Sequence, residues 1–127
     1  MSYTILAIDD EPSTLSILQI MLELDRPSWK FLAAYDGEAG IKIAERERID
    51  FVLLDIMMPG LNGFETCRHL RALPHMADVP IVMFTALDTP ERREQANLVG
   101  ANDFWIKPFQ PGVFIAQMEK ILTPKPA

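Results

Sequence analysis

The sequence predicts an α/β protein in which five parallel strands alternate with five helices. Three observations lead to this prediction: the apolar runs are four to six residues long, helical spacing follows each run, and turn residues separate them. Short, wholly apolar strands are typical of a doubly wound parallel sheet that helices cover on both faces. With 127 residues, the chain has room for one such domain and little more.

Three of the predicted strands lie in the first half of the chain. They cover residues 3–8, 31–35 and 51–54. Pro12 suits the first turn of helix one, and the sequence Asp25-Arg26-Pro27 stops that helix. Asp36 and Gly37 cap helix two. The apolar residues at helical spacing in these two helices are Leu15, Leu18, Met21, Leu22, Ile41 and Ala44.

The second half contains two more strands, at residues 80–84 and 103–106. Asn62 and Glu65 form a capping-box pair that starts helix three. Thr89 and Pro90 start helix four as its N-cap and first residue, and Gly100 fits just past its end. The last helix is predicted to carry Phe114, Met118 and Ile121 on one face.

The composition argues against several classes of protein. A net charge of −6 and a pI near 4.8 do not suit a protein that holds nucleic acid by neutralising its phosphates. The single cysteine, Cys67, cannot form an internal disulfide. The N-terminus does not resemble a signal peptide, and no apolar stretch reaches the roughly 18 residues of a membrane span. We therefore expect a cytoplasmic domain that binds neither nucleic acid nor membranes directly.

Polar residues follow four of the five predicted strands. A single Asp, Thr or Lys in such a place is most often a cap, a turn residue or a surface charge. Parallel strands all end at one edge of the sheet, where ligands bind in open α/β folds, so together these residues predict a site. In chain order they are Asp9, Asp10, Glu11, Asp55, Thr85 and Lys107.

The carboxylates of this predicted site need a counter-charge. Two carboxylates about 5 Å apart repel each other by roughly 3 kcal/mol at an effective dielectric of about 20. A divalent cation with oxygen ligands removes this repulsion, and Mg²⁺ is the expected ion where phosphate is handled, with Mn²⁺ as its substitute. The loop at residues 9–12 lacks glycine and would repel a phosphate that arrived without the metal. With the metal in place, a carboxylate can act as the nucleophile and form an aspartyl phosphate.

Four motifs resemble the receiver domain of two-component response regulators, and the match runs from about Ile5 to Ile121. The motifs are Ile8–Glu11, Leu53–Glu65, Phe84–Ala86, and Gly100–Phe104 leading into Lys107–Phe109. The resemblance implies a flavodoxin-like receiver fold with strand order 2-1-3-4-5. It also implies a receiver domain over residues 1–122, followed by residues 123–127 as a tail or the start of a linker.

The resemblance assigns the metal and the phosphoryl group to particular residues. Asp55 would accept the phosphoryl group from a phosphohistidine of a histidine kinase or a histidine phosphotransfer protein. Asp10 and Asp55 would ligate Mg²⁺, or Mn²⁺, with the backbone carbonyl of Met57, and Asp9 would act mostly through bound water. The domain would catalyse its own phosphorylation and dephosphorylation without being a conventional turnover enzyme.

The resemblance also implies a switch. Lys107 would pair with the phosphoryl oxygens, and the Thr85 hydroxyl and the Ala86 amide would turn towards them. Phe104 would be the aromatic residue that turns inward as Thr85 moves. The Lys107–Pro108 bond is expected to be cis.

Helix four is weakly apolar, so it is expected to shift when the switch residues move. Its candidate anchors are Ala96, Leu98 and Val99. The surface of helix four, strand five and helix five is therefore the predicted output or homodimer face, although Glu91–Glu94 also suits a plain solvated face. Trp105 suits either packing or an apolar contact surface with Phe104 and Phe109.

Met57 and Leu87 depart from the chemotaxis-type pattern because neither carries an amide or a carboxylate. Side chains at these two positions can position or block the hydrolytic water. This leads to the hypothesis that the phosphorylated form is long-lived. Two other functions stay open: a pseudo-receiver that acts only as an interaction module, and a phosphatase of the haloacid-dehalogenase type. The complete acid set with Thr85 and Lys107 argues against the first. The second would need an Asp-x-Asp pattern on the first strand and usually a cap domain. This sequence has adjacent Asp9 and Asp10 instead, and no room for a cap.

Overall fold

The computed structural model describes residues 2–108 and 110–122, except the side chain of Pro111. Phe109 of the last motif and the predicted tail at residues 123–127 lie outside this described part. The strands are Thr4–Ile8 (β1), Lys30–Ala34 (β2), Phe51–Leu54 (β3), Ile81–Thr85 (β4) and Asp103–Ile106 (β5). The helices are Pro12–Asp25 (α1), Gly37–Arg46 (α2), Gly63–Ala72 (α3), Pro90–Leu98 (α4) and Pro111–Leu122 (α5), with a 3₁₀ turn at Pro74–Met76.

The strands of the described residues form one parallel sheet in the order β2-β1-β3-β4-β5. This confirms the predicted doubly wound fold and its strand order. Ile8, the last residue of β1, pairs with Ala34 on one side and Leu54 on the other. The strand order therefore reverses direction at β1, and the residues that follow β1 and β3 lie at this reversal, where α/β sheets bind ligands.

Each face of the sheet is covered by its own set of helices, and successive strand residues join different clusters because they point to opposite faces. On one face Leu6, Val52 and Met83 pack against residues of α2, α3 and α4. On the other, Phe51 and Val82 pack against α1 and α5. The buried residues of α1 and α5 are Leu15, Leu18, Leu22, Phe114, Ile115 and Met118. None of the helices in the described part is both long and apolar enough to span a membrane.

The helix caps lie where the sequence predicts them. The Asp36 side chain accepts a hydrogen bond from the Ala39 amide, and Asn62 and Glu65 form the reciprocal capping box. The Thr89 side chain caps α4. Gly100 has a φ of +93°, in the left-handed region that only glycine adopts readily, so it ends the turn after α4.

Several local predictions are wrong. Tyr3, Tyr35 and Pro80 lie just outside the strands to which they were assigned, and Pro80 has no N–H to donate to a ladder. Leu98 is 78% exposed, because α4 turns Ala96 and Val99 towards the core instead. On α5, Ile115 is buried together with Phe114 and Met118, whereas Ile121 is 36% exposed.

Trp105 belongs to the packing of the domain. Its ring lies 5.9 Å from that of Phe51 and 5.5 Å from that of Phe114. Its indole N–H donates to the Asp103 carboxylate at 2.9 Å. Of the two interpretations of Trp105 that the sequence left open, these contacts favour packing.

Candidate functional site

Backbone hydrogen bonds extend the sheet by one residue beyond three strands and fix the side chains that follow them. The Asp9 amide donates to the Ala34 carbonyl at 3.0 Å, and the Asp55 amide donates to the Ile8 carbonyl at 2.9 Å. The Lys107 amide donates to the Thr85 carbonyl at 2.8 Å. These positions are therefore as rigid as the sheet itself.

Three carboxylates meet at the carboxyl ends of β1 and β3. One oxygen each from Asp9, Asp10 and Asp55 can be chosen so that all lie within 4.8 Å of one another. We call these residues the acidic cluster. Asp9 and Asp55 are buried, whereas Asp10 is exposed. Among the described residues this is the one group of three such side chains that could hold a metal ion, and neither His69 nor His75 belongs to it.

Lys107 is the cation of the site. Its Nζ lies 2.7 Å from Asp9 Oδ2, 3.7 Å from Asp55 Oδ2 and 3.9 Å from Glu11 Oε1. Burial lowers the pKa of the ammonium, but the hydrogen bond to Asp9 and the attraction of all three carboxylates outweigh burial and raise it. Lys107 is therefore charged at neutral pH and is shared among the acids.

The two oxygens of Asp55 have different surroundings. Oδ1 accepts a hydrogen bond from the Ile56 amide at 2.8 Å, and Oδ2 faces Lys107. Burial and repulsion from Asp9, with a smaller repulsion from Asp10, raise the pKa of Asp55 to about 6, although Lys107 and the Ile56 amide oppose the shift. The carboxylate is thus ionised at neutral pH but is less stable than an exposed one.

The donor set fits a hard divalent cation. Carboxylate oxygens are the ligands that Mg²⁺ and Mn²⁺ prefer, and three are offered by the acidic cluster. Burial, and after it repulsion from Asp9, raise the pKa of Asp55 even though Lys107 lies nearby. A cation held between the three carboxylates would relieve that repulsion.

The predicted switch residues lie on β4 and β5 beside the cluster. Thr85 is buried, and its hydroxyl accepts a long hydrogen bond of 3.4 Å from the Leu87 amide, while Ala86 is exposed. Phe104 is buried with the Arg93 guanidinium 4.8 Å from its ring centroid. The Lys107–Pro108 peptide bond is cis, as expected.

Two residues near the site carry no prediction from the sequence. Gly63 begins α3 so close to β3 that a Cβ there would collide with the carbonyl oxygen of Asp55 and the Cα of Ile56. Arg92 of α4 reaches across to Met57, with Nη2 3.2 Å from the thioether sulfur. In the sequence, Gly63 directly follows the predicted cap residue Asn62, which indicates only weakly that the helix begins close to the sheet. Nothing in the sequence distinguishes Arg92 from other helical arginines.

Comparisons with known proteins identify relatives over most of the chain. The family model described as "Response regulator receiver domain" matches residues 5–119. The alkaline phosphatase synthesis transcriptional regulatory protein PhoP of Bacillus subtilis is 39% identical over 122 residues, which are 96% of this chain and 49% of PhoP. The response regulator PleD of Caulobacter vibrioides is 35% identical over 95% of this chain and 26% of its own length. The chain thus spans half or less of these relatives.

Solved structures match the fold as well. The chemotaxis protein CheY4 of Vibrio cholerae has a TM-score of 0.90 at 27% identity, covering 96% of this chain and 100% of CheY4. The receiver domain of the sensor histidine kinase PA1611 of Pseudomonas aeruginosa has a TM-score of 0.80 at 30% identity, covering 96% and 95%, and that structure holds a magnesium ion in its active-site cleft. The motifs, the strand order and these matches agree, and the chain belongs to the family of response regulator receiver domains.

Proposed function

We propose that this domain accepts a phosphoryl group on Asp55 from a phosphohistidine of a histidine kinase or a histidine phosphotransfer protein. The observation that supports this most directly is the geometry of Asp55. One oxygen is held by the Ile56 amide, and the other faces Lys107 within the acidic cluster. A buried carboxylate that is held in place beside a shared cation is suited to nucleophilic attack.

The transfer itself needs positioning and charge neutralisation more than covalent help. A carboxylate oxygen of Asp55 attacks phosphorus, the new O–P bond forms, and the N–P bond breaks with its electron pair staying on the imidazole nitrogen. Lys107 leaves Asp9 to pair with a phosphoryl oxygen, and the Thr85 hydroxyl and the Ala86 amide donate to others.

Mg²⁺, or Mn²⁺ in its place, is part of the proposal. Asp9, Asp10, Asp55 and the backbone carbonyl of Met57 would hold it, with Asp9 acting mostly through water. When bound, the cation would neutralise charge on the transferred group. The chain's own contribution is the placement of Asp9 and Asp55, whose backbone amides are held by the sheet at the ends of β1 and β3.

The output is proposed to be a change in the surface of α4, β5 and α5, with Phe104 turning further inward as Thr85 moves. The weak anchoring of α4 supports this proposal, since only Ala96 of this helix is buried. That surface would contact an output partner or a second copy of the domain. Residues 1–122 would form the receiver domain, in the cytoplasm, where the free thiol of Cys67 stays reduced.

The experiment uses phosphoramidate, a small donor with the same P–N bond as phosphohistidine. After incubation with Mg²⁺, mass spectrometry of the wild-type chain should find one phosphoryl group on the peptide that contains Asp55. Asp55→Asn and chelation of Mg²⁺ should each abolish it. A chain that takes up no phosphoryl group, or that takes it up equally in Asp55→Asn, contradicts the proposal.

A further inference from the structure

Arg92 connects α4 to the loop that follows the acceptor strand. It lies in the first turns of α4, where its amide donates to the Thr89 cap. Its guanidinium Nη2 lies 3.2 Å from the sulfur of Met57, two residues after Asp55. The side chain therefore reaches from α4 to the loop that directly follows Asp55.

The guanidinium of Arg92 is poorly satisfied in this position. A thioether sulfur is a weak acceptor, and Nη1 is buried without a hydrogen-bond partner among the described residues. A buried donor without a partner is unusual, and for a charged group it is especially unfavourable. The neighbouring Arg93 shows the contrast, because its guanidinium forms hydrogen bonds of 2.6 and 3.1 Å to Asp88. Nη1 of Arg92 is thus available to bind an acceptor near the loop that follows Asp55.

The charge of the site indicates what the spare donor could bind. Asp9, Asp10, Glu11 and Asp55 against Lys107 leave a net charge of −3. A divalent cation brings this to −1, and conversion of the Asp55 carboxylate into a doubly charged acyl phosphate returns it to −2. The phosphorylated form thus carries one more negative charge than the form with the cation alone, and Lys107 is already counted, so a further cation would be attracted to it.

We propose that Arg92 is a further phosphoryl-binding residue of this domain. Once Asp55 carries the phosphoryl group, the guanidinium leaves the Met57 sulfur and donates to a phosphoryl oxygen. A planar guanidinium suits phosphate oxygens better than an ammonium does. The bound guanidinium also hinders access of water to phosphorus and slows hydrolysis. This inference rests on the proposed function, and its test separates the two.

The test measures the affinity of the Mg²⁺-loaded chain for beryllofluoride, which stands in for the phosphoryl group, by calorimetry. We expect Arg92→Ala to weaken beryllofluoride binding by about tenfold, the size of one charge-assisted hydrogen bond. The affinity for Mg²⁺ alone should stay within about twofold, since it reports metal binding and folding without the anion. Arg92→Lys should recover part of the loss.

A matched control removes the same charge elsewhere. Arg68 is exposed on α3, and Arg68→Ala should leave the beryllofluoride affinity unchanged. After phosphorylation and removal of the donor, Arg92→Ala should lose its phosphoryl group several-fold faster than wild type, and Arg68→Ala at the wild-type rate.

The two ways to fail are distinguishable. If the wild-type chain binds no beryllofluoride, the proposed function falls and this inference with it. If the wild type binds beryllofluoride and Arg92→Ala binds it equally well, or if Arg68→Ala loses as much affinity as Arg92→Ala, only the role of Arg92 is overturned.

Discussion

At the amino ends of β4 and β5 one arginine is surrounded by acceptors, whereas at the carboxyl ends of β1 and β3 three carboxylates share one lysine. Arg71 of α3 donates to the carbonyls of Gly100, Met76 and Val79 and to the side chain of Asn102, at 2.6–3.0 Å. We call this the arginine network. Both arrangements concentrate charge beside the sheet. The guanidinium of Arg71 has hydrogen-bond acceptors around it, whereas a single lysine does not balance the charge of three carboxylates.

This difference indicates that the arginine network stabilises the fold, whereas the acidic cluster serves the function of the domain. The arginine network joins α3, the 3₁₀ turn and the segment before β5, and Asn102 in turn accepts from the Ile81 amide at 2.8 Å. At the acidic cluster, burial and then repulsion between the carboxylates raise the pKa of Asp55. Stability is therefore expected to depend on the amino ends of the strands, and binding of a cation and a phosphoryl group on the carboxyl ends.

The largest predicted effect on stability comes from breaking the arginine network. Arg71→Ala removes the donor from three carbonyls and from Asn102, so the free energy of unfolding should fall by about 3 kcal/mol. Chemical denaturation measures this, with Arg68→Ala of the same helix as the control, expected to change it by less than about 0.5 kcal/mol. Beryllofluoride binding should survive in the folded variant. Equal stability of the two variants would contradict the assignment.

A smaller effect of opposite sign is expected when the acidic cluster loses a charge. Asp55→Asn removes a carboxylate whose pKa is raised to about 6. The shift corresponds to destabilisation on the order of 3 kcal/mol at neutral pH, so the variant should be more stable than wild type by up to that amount. Denaturation at pH 7.5 without Mg²⁺ measures the difference.

The pH dependence of this difference fixes its origin. Because the folded pKa lies above the unfolded one, the folded state holds the extra proton between about pH 4 and pH 6. Wild type should therefore lose stability relative to Asp55→Asn as pH rises through that window, with no further change above it. A difference that is constant from pH 4 to pH 7 would show that the ionisation of Asp55 in its buried, acidic surroundings is not the cause.

The smallest predicted effect concerns the lifetime of the phosphorylated form. Met57, two residues after Asp55, is 62% exposed and offers water neither a donor nor a strong acceptor. Met57→Asn introduces an amide that can position a hydrolytic water, so loss of the phosphoryl group should accelerate several-fold, or about 1 kcal/mol in activation free energy. Acid-quenched samples taken after removal of the donor measure the rate. An unchanged rate would count against a long-lived wild-type form.

The sequence predicted most of what local chemistry determines. The caps at Asp36, Asn62 and Thr89 and the acids after β1 and β3 follow from residue type and spacing, and the structure places them as expected. Parallel strands bring their carboxyl ends to one edge of the sheet, so the proximity of Asp9 and Asp55 follows from the pattern of strands in the sequence.

The remaining features depend on tertiary contacts that no local pattern records. Leu98 satisfies the apolar pattern of α4 but faces solvent, because the rotation of the helix is set by the sheet beneath it. Arg71 and Arg92 are ordinary helical arginines in the sequence. Their roles depend on acceptors distant in sequence: Gly100 and Asn102 lie 29 and 31 residues from Arg71, and Met57 lies 35 residues from Arg92.

The most direct test of the account is the titration of the Asp55 carboxyl carbon by NMR, with and without Mg²⁺. Repulsion and burial at the carboxyl ends of β1 and β3 predict an apparent pKa of about 6 in the metal-free chain. Saturating Mg²⁺ should lower this pKa, since the cation favours the ionised form. A metal-free pKa at the ordinary value for aspartate, or one that does not respond to Mg²⁺, would contradict the claim that unbalanced charge prepares this edge for its function.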